Sequence, residues 1–183
     1  MIISRSPTHT NETIRLNPQF AYAFVNRGNA WNYKKDYDRA IAWFNKREYD
    51  DAISDYGEAI RLNSQNAEAF RIRAGALFYQ GQFVRATADL AQSQHLAANI
   101  YTSLWLYLAL TRSGDNDAKS ELATNAKGIK SGWPAPVVAL YLGNSNPDAV
   151  ATSAAHTDPK THKEQMCESD FYIGEWNLIN GKK

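Results

Sequence analysis

The chain repeats itself. Asn17-Pro18-Gln19-Phe20-Ala21-Tyr22-Ala23-Phe24 returns as Asn63-Ser64-Gln65-Asn66-Ala67-Glu68-Ala69-Phe70, an offset of 46 residues. The same offset relates Ile14-Arg15-Leu16-Asn17 to Ile60-Arg61-Leu62-Asn63, Arg27 to Arg73, Tyr33 to Tyr79, Tyr37 to Phe83, Arg39 to Arg85 and Ala40 to Ala86. A unit too small to bury its own apolar face must stack on its copies, so the repeat restricts the chain to arrays of one supersecondary element.

That element is a pair of helices. Phe20, Phe24, Ala30 and Trp31 fall at helical spacing, and Tyr37, Ala40, Ile41 and Phe44 form a second stripe. In the later copy Gly81 sits between the stripes, where a tight turn needs a positive φ. Asn17-Pro18 marks a helix start, because proline in the first turn gives up no hydrogen bond. No run alternates apolar and polar residues as a half-buried strand does.

These residues resemble the tetratricopeptide repeat (TPR) family, whose unit is about 34 residues long, with a small residue midway along helix A and an alanine early in helix B. Gly28, Trp31 and Ala40 fit that pattern in the first copy, and Ala74 and Ala86 fit it in the later one. Small residues suit the point where two helices cross closely, and aromatics fill the flanking holes. The resemblance implies an all-α fold of TPR-like helical hairpins forming a short right-handed solenoid.

The offset is shorter than two such repeats by about 22 residues. Residues 30–41 are followed at once by residues 42–53, which match them at seven of twelve positions. Most of one helix B and the start of the next helix A are therefore expected to be missing. The merged stretch Tyr37 to Leu62 either breaks at Lys46-Arg47-Glu48 or runs as one long helix.

Beyond Ala97 the pattern is less regular. Tyr101 to Arg112 is apolar nearly all round, as a helix packed on both sides would be. Gly114 ends it, and Ala118 to Ala126 suits a partner helix. Trp133-Pro134-Ala135-Pro136 interrupts the chain; Val137 to Leu142 is helical, Gly143 stops it, and Pro147 starts another short helix. Cys167 to Gly181 resembles a further TPR helix A, with Gly174 in the small-residue slot and Cys167 in the core. Leu104-Trp105-Leu106-Tyr107-Leu108, the Trp133 segment with Tyr141-Leu142-Gly143, and Phe171 to Trp176 resemble bacterial TPR lipoproteins of the NlpI type, which implies an envelope adaptor. The expected organisation is a disordered segment 1–12, TPR repeats over 13–97 with one shortened repeat, and divergent TPR-like helices over 98–183 ending in an incomplete repeat.

Composition excludes little and favours one class. At 44% hydrophobic the chain can bury a core, and 20 basic against 19 acidic residues leave no electrostatic reason to expect nucleic acid. No apolar run is long enough to span a bilayer, so no membrane insertion is expected. No signal segment is visible, which favours the cytoplasm, with an envelope-associated location as the alternative. Cys167 is the only cysteine.

Chemistry-bearing motifs are sparse. His156, Asp158 and His162 could approach one another, but a metal site needs further ligands that the spacing does not supply, so Thr157 to Glu164 is expected to be a solvated loop. Asp50, Asp51 and Asp55 read as a solvated helix face. There is no phosphate-binding glycine loop and no nucleophile elbow. No cofactor, no metal and no catalysis are expected. The TPR resemblance instead implies a non-catalytic interaction scaffold that binds a protein or peptide on its concave helix A surface. By the repeat register that surface carries Tyr22, Val25, Asn29, Asn32 and Tyr33 in the first copy, and Glu68, Arg71, Gly75, Phe78 and Tyr79 in the later one. Alternatives are a regulatory fragment of a larger enzyme, such as a glycosyltransferase, and the envelope adaptor. The shortened repeat and the unfinished last one, with Phe171, Trp176 and Leu178, suggest a homodimer.

Overall fold

The computed structural model describes residues 46–181, with side chains from Tyr49 onward. Every regular element among them is a helix. The chain divides into two compact units, Met1–Thr102 and Ser103–Lys183.

The described part of the first unit holds α1 (Lys46–Leu62), α2 (Ala67–Tyr79) and α3 (Phe83–Leu96). Lys46, Arg47 and Glu48, where a break had been one alternative, are already helical. Residues before Lys46, and with them Trp31, Ala40 and Phe44, lie outside the described residues. On α1 the buried positions Ala52, Tyr56 and Ala59 recur at helical spacing and meet Ala69 of α2, with Ile60, Leu62 and Ile72 packed around them. Three of those four core residues are alanines, so two helices approach closely around one large ring. Asp55 departs from the solvated face expected for it: it is only 5% exposed, one position before Tyr56 in the buried stripe.

The turn into α2 is made by asparagines. Asn63 accepts the Gln65 amide at 3.1 Å, and Asn66 caps α2 by accepting the Ala69 amide at 3.1 Å. The turn out of α2 uses Gly81 at φ +75°, with its amide donating to the Phe78 carbonyl at 2.9 Å and the Gln82 amide to the Leu77 carbonyl at 2.9 Å. Ala74 and Ala86, the small residues of the repeat pattern, are fully buried.

The second unit carries most of α4 (Ile100–Ser113), then α5 (Ala118–Asn125), α6 (Ala135–Leu142), α7 (Pro147–Ser153) and α8 (Pro159–Ile179). Gly114 and Gly143 end α4 and α6 at φ +83° and +86°, as their positions predict. The Trp133–Pro134 peptide is cis. The core is aromatic. Tyr107 and Tyr141 stack with centroids 4.8 Å apart, Tyr172 meets Tyr141 edge-on at 6.0 Å, and Trp105 stacks on Phe171 at 5.3 Å. Tyr141 donates its hydroxyl to the Tyr172 carbonyl at 3.0 Å, which satisfies a phenol that has no access to water.

Helix α8 departs from expectation in two ways. It begins at Pro159, not near Cys167, because Asp158 caps it by accepting the Thr161 amide at 2.8 Å and Pro159 occupies the first turn. Most of the stretch expected to be a loop, residues 159–164, thus opens this helix. Its phase also differs from the repeat register. Ser169 and Tyr172 face inward, while Cys167 is exposed and a Cβ on Gly174 would meet nothing within 4 Å. Gly174 therefore makes no close helix crossing here.

Candidate partner-binding surface

The surface to which the repeat register points is the exposed face of α2. Arg73, at the centre of α2, is fixed from three sides. Its guanidinium forms two 2.7 Å hydrogen bonds with the Asp89 carboxylate of α3. Its charge lies 5.7 Å from the centre of the Phe70 ring. A Cβ placed on Gly57 of α1 would stand 3.6 Å from one guanidinium nitrogen. One side chain thus joins α1, α2 and α3, and the orientation of α2 follows from it.

The far end of α2 is held by contacts to α1: Tyr79 stacks on Tyr49 at 6.1 Å, and the Gln80 amide donates to the Asp50 carboxylate at 2.8 Å. In the first half of α2 Glu68 and Arg71 are exposed and form a 3.4 Å ion pair along the helix surface. At that distance in open solvent the pair stabilises little, so both groups are available to a partner. Gly75 is half-buried, and nothing lies within 4 Å of where its Cβ would be, which leaves a notch one turn from Arg71 and one turn from Tyr79. Tyr79 is 44% exposed despite its stack on Tyr49.

Phe78 does not belong to this face. It is 4% exposed and packs edge-on against Phe83, ring centres 5.2 Å apart. Phe83 opens α3 immediately after the Gly81 turn, so the hairpin itself covers Phe78, which the register alone could not show. Tyr22, Val25, Asn29, Asn32 and Tyr33 lie outside the described residues. The face now rests on Glu68, Arg71, Gly75 and Tyr79.

Elsewhere the chemistry is structural. His156, Asp158 and His162 do come together, but their side chains accept backbone amides of the same turn. Among the described residues no group of three His, Cys, Asp or Glu side chains is placed to hold a metal ion. No helix among them is long and apolar enough to cross a membrane. Burial raises the phenols of Tyr107 and Tyr141 above their ordinary range, most strongly for Tyr141, and both belong to the core. Two polar ties close the second unit: the Trp133 indole, in the turn before α6, donates to Glu168 at 2.6 Å, and Arg112 of α4 pairs with Glu175 of α8 at 2.9 Å.

Three helices, alanines at their crossings and a glycine turn in the hairpin are therefore what surrounds this face. The tetratricopeptide repeat family model matches residues 45–99, the stretch that contains α1, α2 and α3, and supports assigning that part of the chain to the TPR family.

Proposed function

We propose that the protein is a non-catalytic scaffold that binds a protein or peptide partner through the exposed face of α2. TPR repeats generally mediate protein–protein interaction, and the single observation that carries the reading here is the composition of that face. An exposed ion pair, an open notch and a partly exposed tyrosine ring are presented on a helix whose orientation is fixed by Arg73. Such a surface offers contact area and hydrogen-bonding groups at low ordering cost.

The test is to capture a partner on the immobilised chain, identify it, and titrate it against the parent and the E68A/R71A variant. Both side chains are exposed and support no core, so the melting temperature should stay within about 2 °C while affinity falls about tenfold, as loss of a contributing contact does. Unchanged affinity removes α2 as the binding face.

The narrower adaptor reading is supported by one further observation. The segments around Leu104, Trp133 and Phe171 that resemble the NlpI-type proteins are tied together within the second unit, through Trp105 with Phe171 and Trp133 with Glu168. Self-association is a second proposal, motivated by Leu178, which stands 62% exposed on α8.

A further inference from the structure

Between α5 and α6 the chain leaves the core of the second unit. Ala126 and Pro134 are buried, but Lys127, Gly128, Ile129, Lys130, Ser131 and Gly132 between them are all exposed. Among the described residues two backbone hydrogen bonds tie this segment down: the Ile129 amide donates to the Ala126 carbonyl at 2.9 Å, and the Ala135 amide to the Gly132 carbonyl at 2.8 Å. Ile129 is already 36% exposed, so drawing the segment out uncovers little apolar area. A Cβ on Gly128 or Gly132 would meet nothing within 4 Å, which leaves the backbone there open to approach. Both ends are firm. The Ala126 amide donates to the Leu122 carbonyl at 2.9 Å, and the Trp133 indole is held by Glu168. The segment is also cationic: it carries two lysines, and no Asp or Glu lies between Glu121 and Asp148.

We propose that this segment is a clipping site for a serine endoprotease that cuts after lysine, and that the clipped chain stays assembled. Such an enzyme takes its substrate as an extended strand and seats the lysine in a pocket floored by a carboxylate. Extending Lys127 to Ser131 breaks the Ile129 hydrogen bond and little else. Every other lysine and arginine between Tyr49 and Ile179 lies in a helix, where the same extension breaks a run of backbone bonds. Hydrolysis adds one water across the Lys127–Gly128 or Lys130–Ser131 peptide bond. It leaves a carboxylate on the lysine and an ammonium on the residue that follows, and needs no further reactant. The two pieces then share one core. Tyr107 stacks on Tyr141 at 4.8 Å, Trp105 stacks on Phe171 at 5.3 Å, and Arg112 pairs with Glu175 at 2.9 Å. Each of these contacts joins a residue before the cut to one after it.

The test is limited digestion of the full chain with trypsin as the probe, read by mass spectrometry. Among the bonds within residues 46–181, the first cut should follow Lys127 or Lys130. It should be at least about tenfold faster than any cut in a helix, because fewer hydrogen bonds must open. In K127Q/K130Q the stretch 46–181 should stay intact at least about tenfold longer than in the parent, since only helical sites remain. The two parent pieces should elute together from a sizing column in native buffer and apart in guanidinium. A first cut inside a helix, a variant that loses this stretch as fast as the parent, or pieces that part in native buffer each overturns the proposal.

Discussion

Arg73 and Asp89 hold each other through two parallel 2.7 Å hydrogen bonds, with Asp89 almost wholly out of solvent and Arg73 reaching it from the neighbouring helix. The pair ties α2 to α3 and at the same time fills the space beside Gly57. Removing one partner leaves the other charge in a site shaped for an ion pair. D89A is expected to lower unfolding free energy by about 2–3 kcal/mol, below the fully buried case because Arg73 keeps some contact with water. The double variant R73M/D89L should lie within about 1 kcal/mol of the parent. Urea denaturation of the parent and the two variants checks this. Equal losses for the single and double variants would show that the charge pairing is not what matters.

Three glycines give a contrast in sign. Gly57 and Gly75 have helical backbone and room for a Cβ, so alanine there should stabilise by about 0.5–1 kcal/mol through helix propensity. Gly81 sits at φ +75° in the turn between α2 and α3, and G81A should cost about 1–2 kcal/mol. Thermal melts of the three single variants report the signs directly.

Tyr141 sets an alkaline limit. Burial raises its phenol far above the ordinary value, so the fold holds the neutral form. A raised value contributes stability that is complete below the unfolded value, about pH 10, and is lost as pH climbs beyond it, because only the unfolded chain ionises readily. Stability should therefore fall between pH 10 and 12 in the parent. Y141F should cost about 1 kcal/mol at pH 7 through the lost bond to the Tyr172 carbonyl, and its decline above pH 10 should be shallower. Denaturation midpoints at pH 7, 10 and 11.5 make the comparison; parallel curves would count against Tyr141 as the source.

Self-association makes a separate prediction. Light scattering over a range of concentrations should show a mass rising above the 20.5 kDa of one chain. L178E should return it to one chain without change in helicity. A mass that stays at 20.5 kDa at all concentrations ends the dimer proposal.

Much of the described fold was legible because helix stops are local chemistry. Gly81, Gly114 and Gly143 each took the positive φ that ends a helix, and Ala74 and Ala86 took the buried positions of the repeat pattern. The start of α8 is also written in the sequence, as Asp158-Pro159: an N-cap side chain followed by proline in the first turn, a signal that the flanking His156 and His162 overlie. Phe78 and Cys167 show a different limit. Which side of a helix faces inward depends on what lies across from it. Phe83 covers Phe78, whereas α8 turns Ser169 and Tyr172 inward and leaves Cys167 outside. Asp55 shows the same limit: a carboxylate beside Asp50 and Asp51 reads as solvated, but its place on α1, one position before Tyr56, puts it in the core.

The ties in the two units differ in how far along the chain they reach, and this sets the order in which the protein can assemble as it is synthesised. Arg73 waits only for Asp89, 16 residues later, and the hairpin between them turns on a glycine already made. Tyr141 waits 31 residues for Tyr172, and Arg112 waits 63 for Glu175. The α2–α3 hairpin can close soon after it emerges from the ribosome. The aromatic core of the second unit stays open until α8, the last described helix, arrives, and through that interval Trp105, Tyr107 and Tyr141 are without their final cover and available to chaperones.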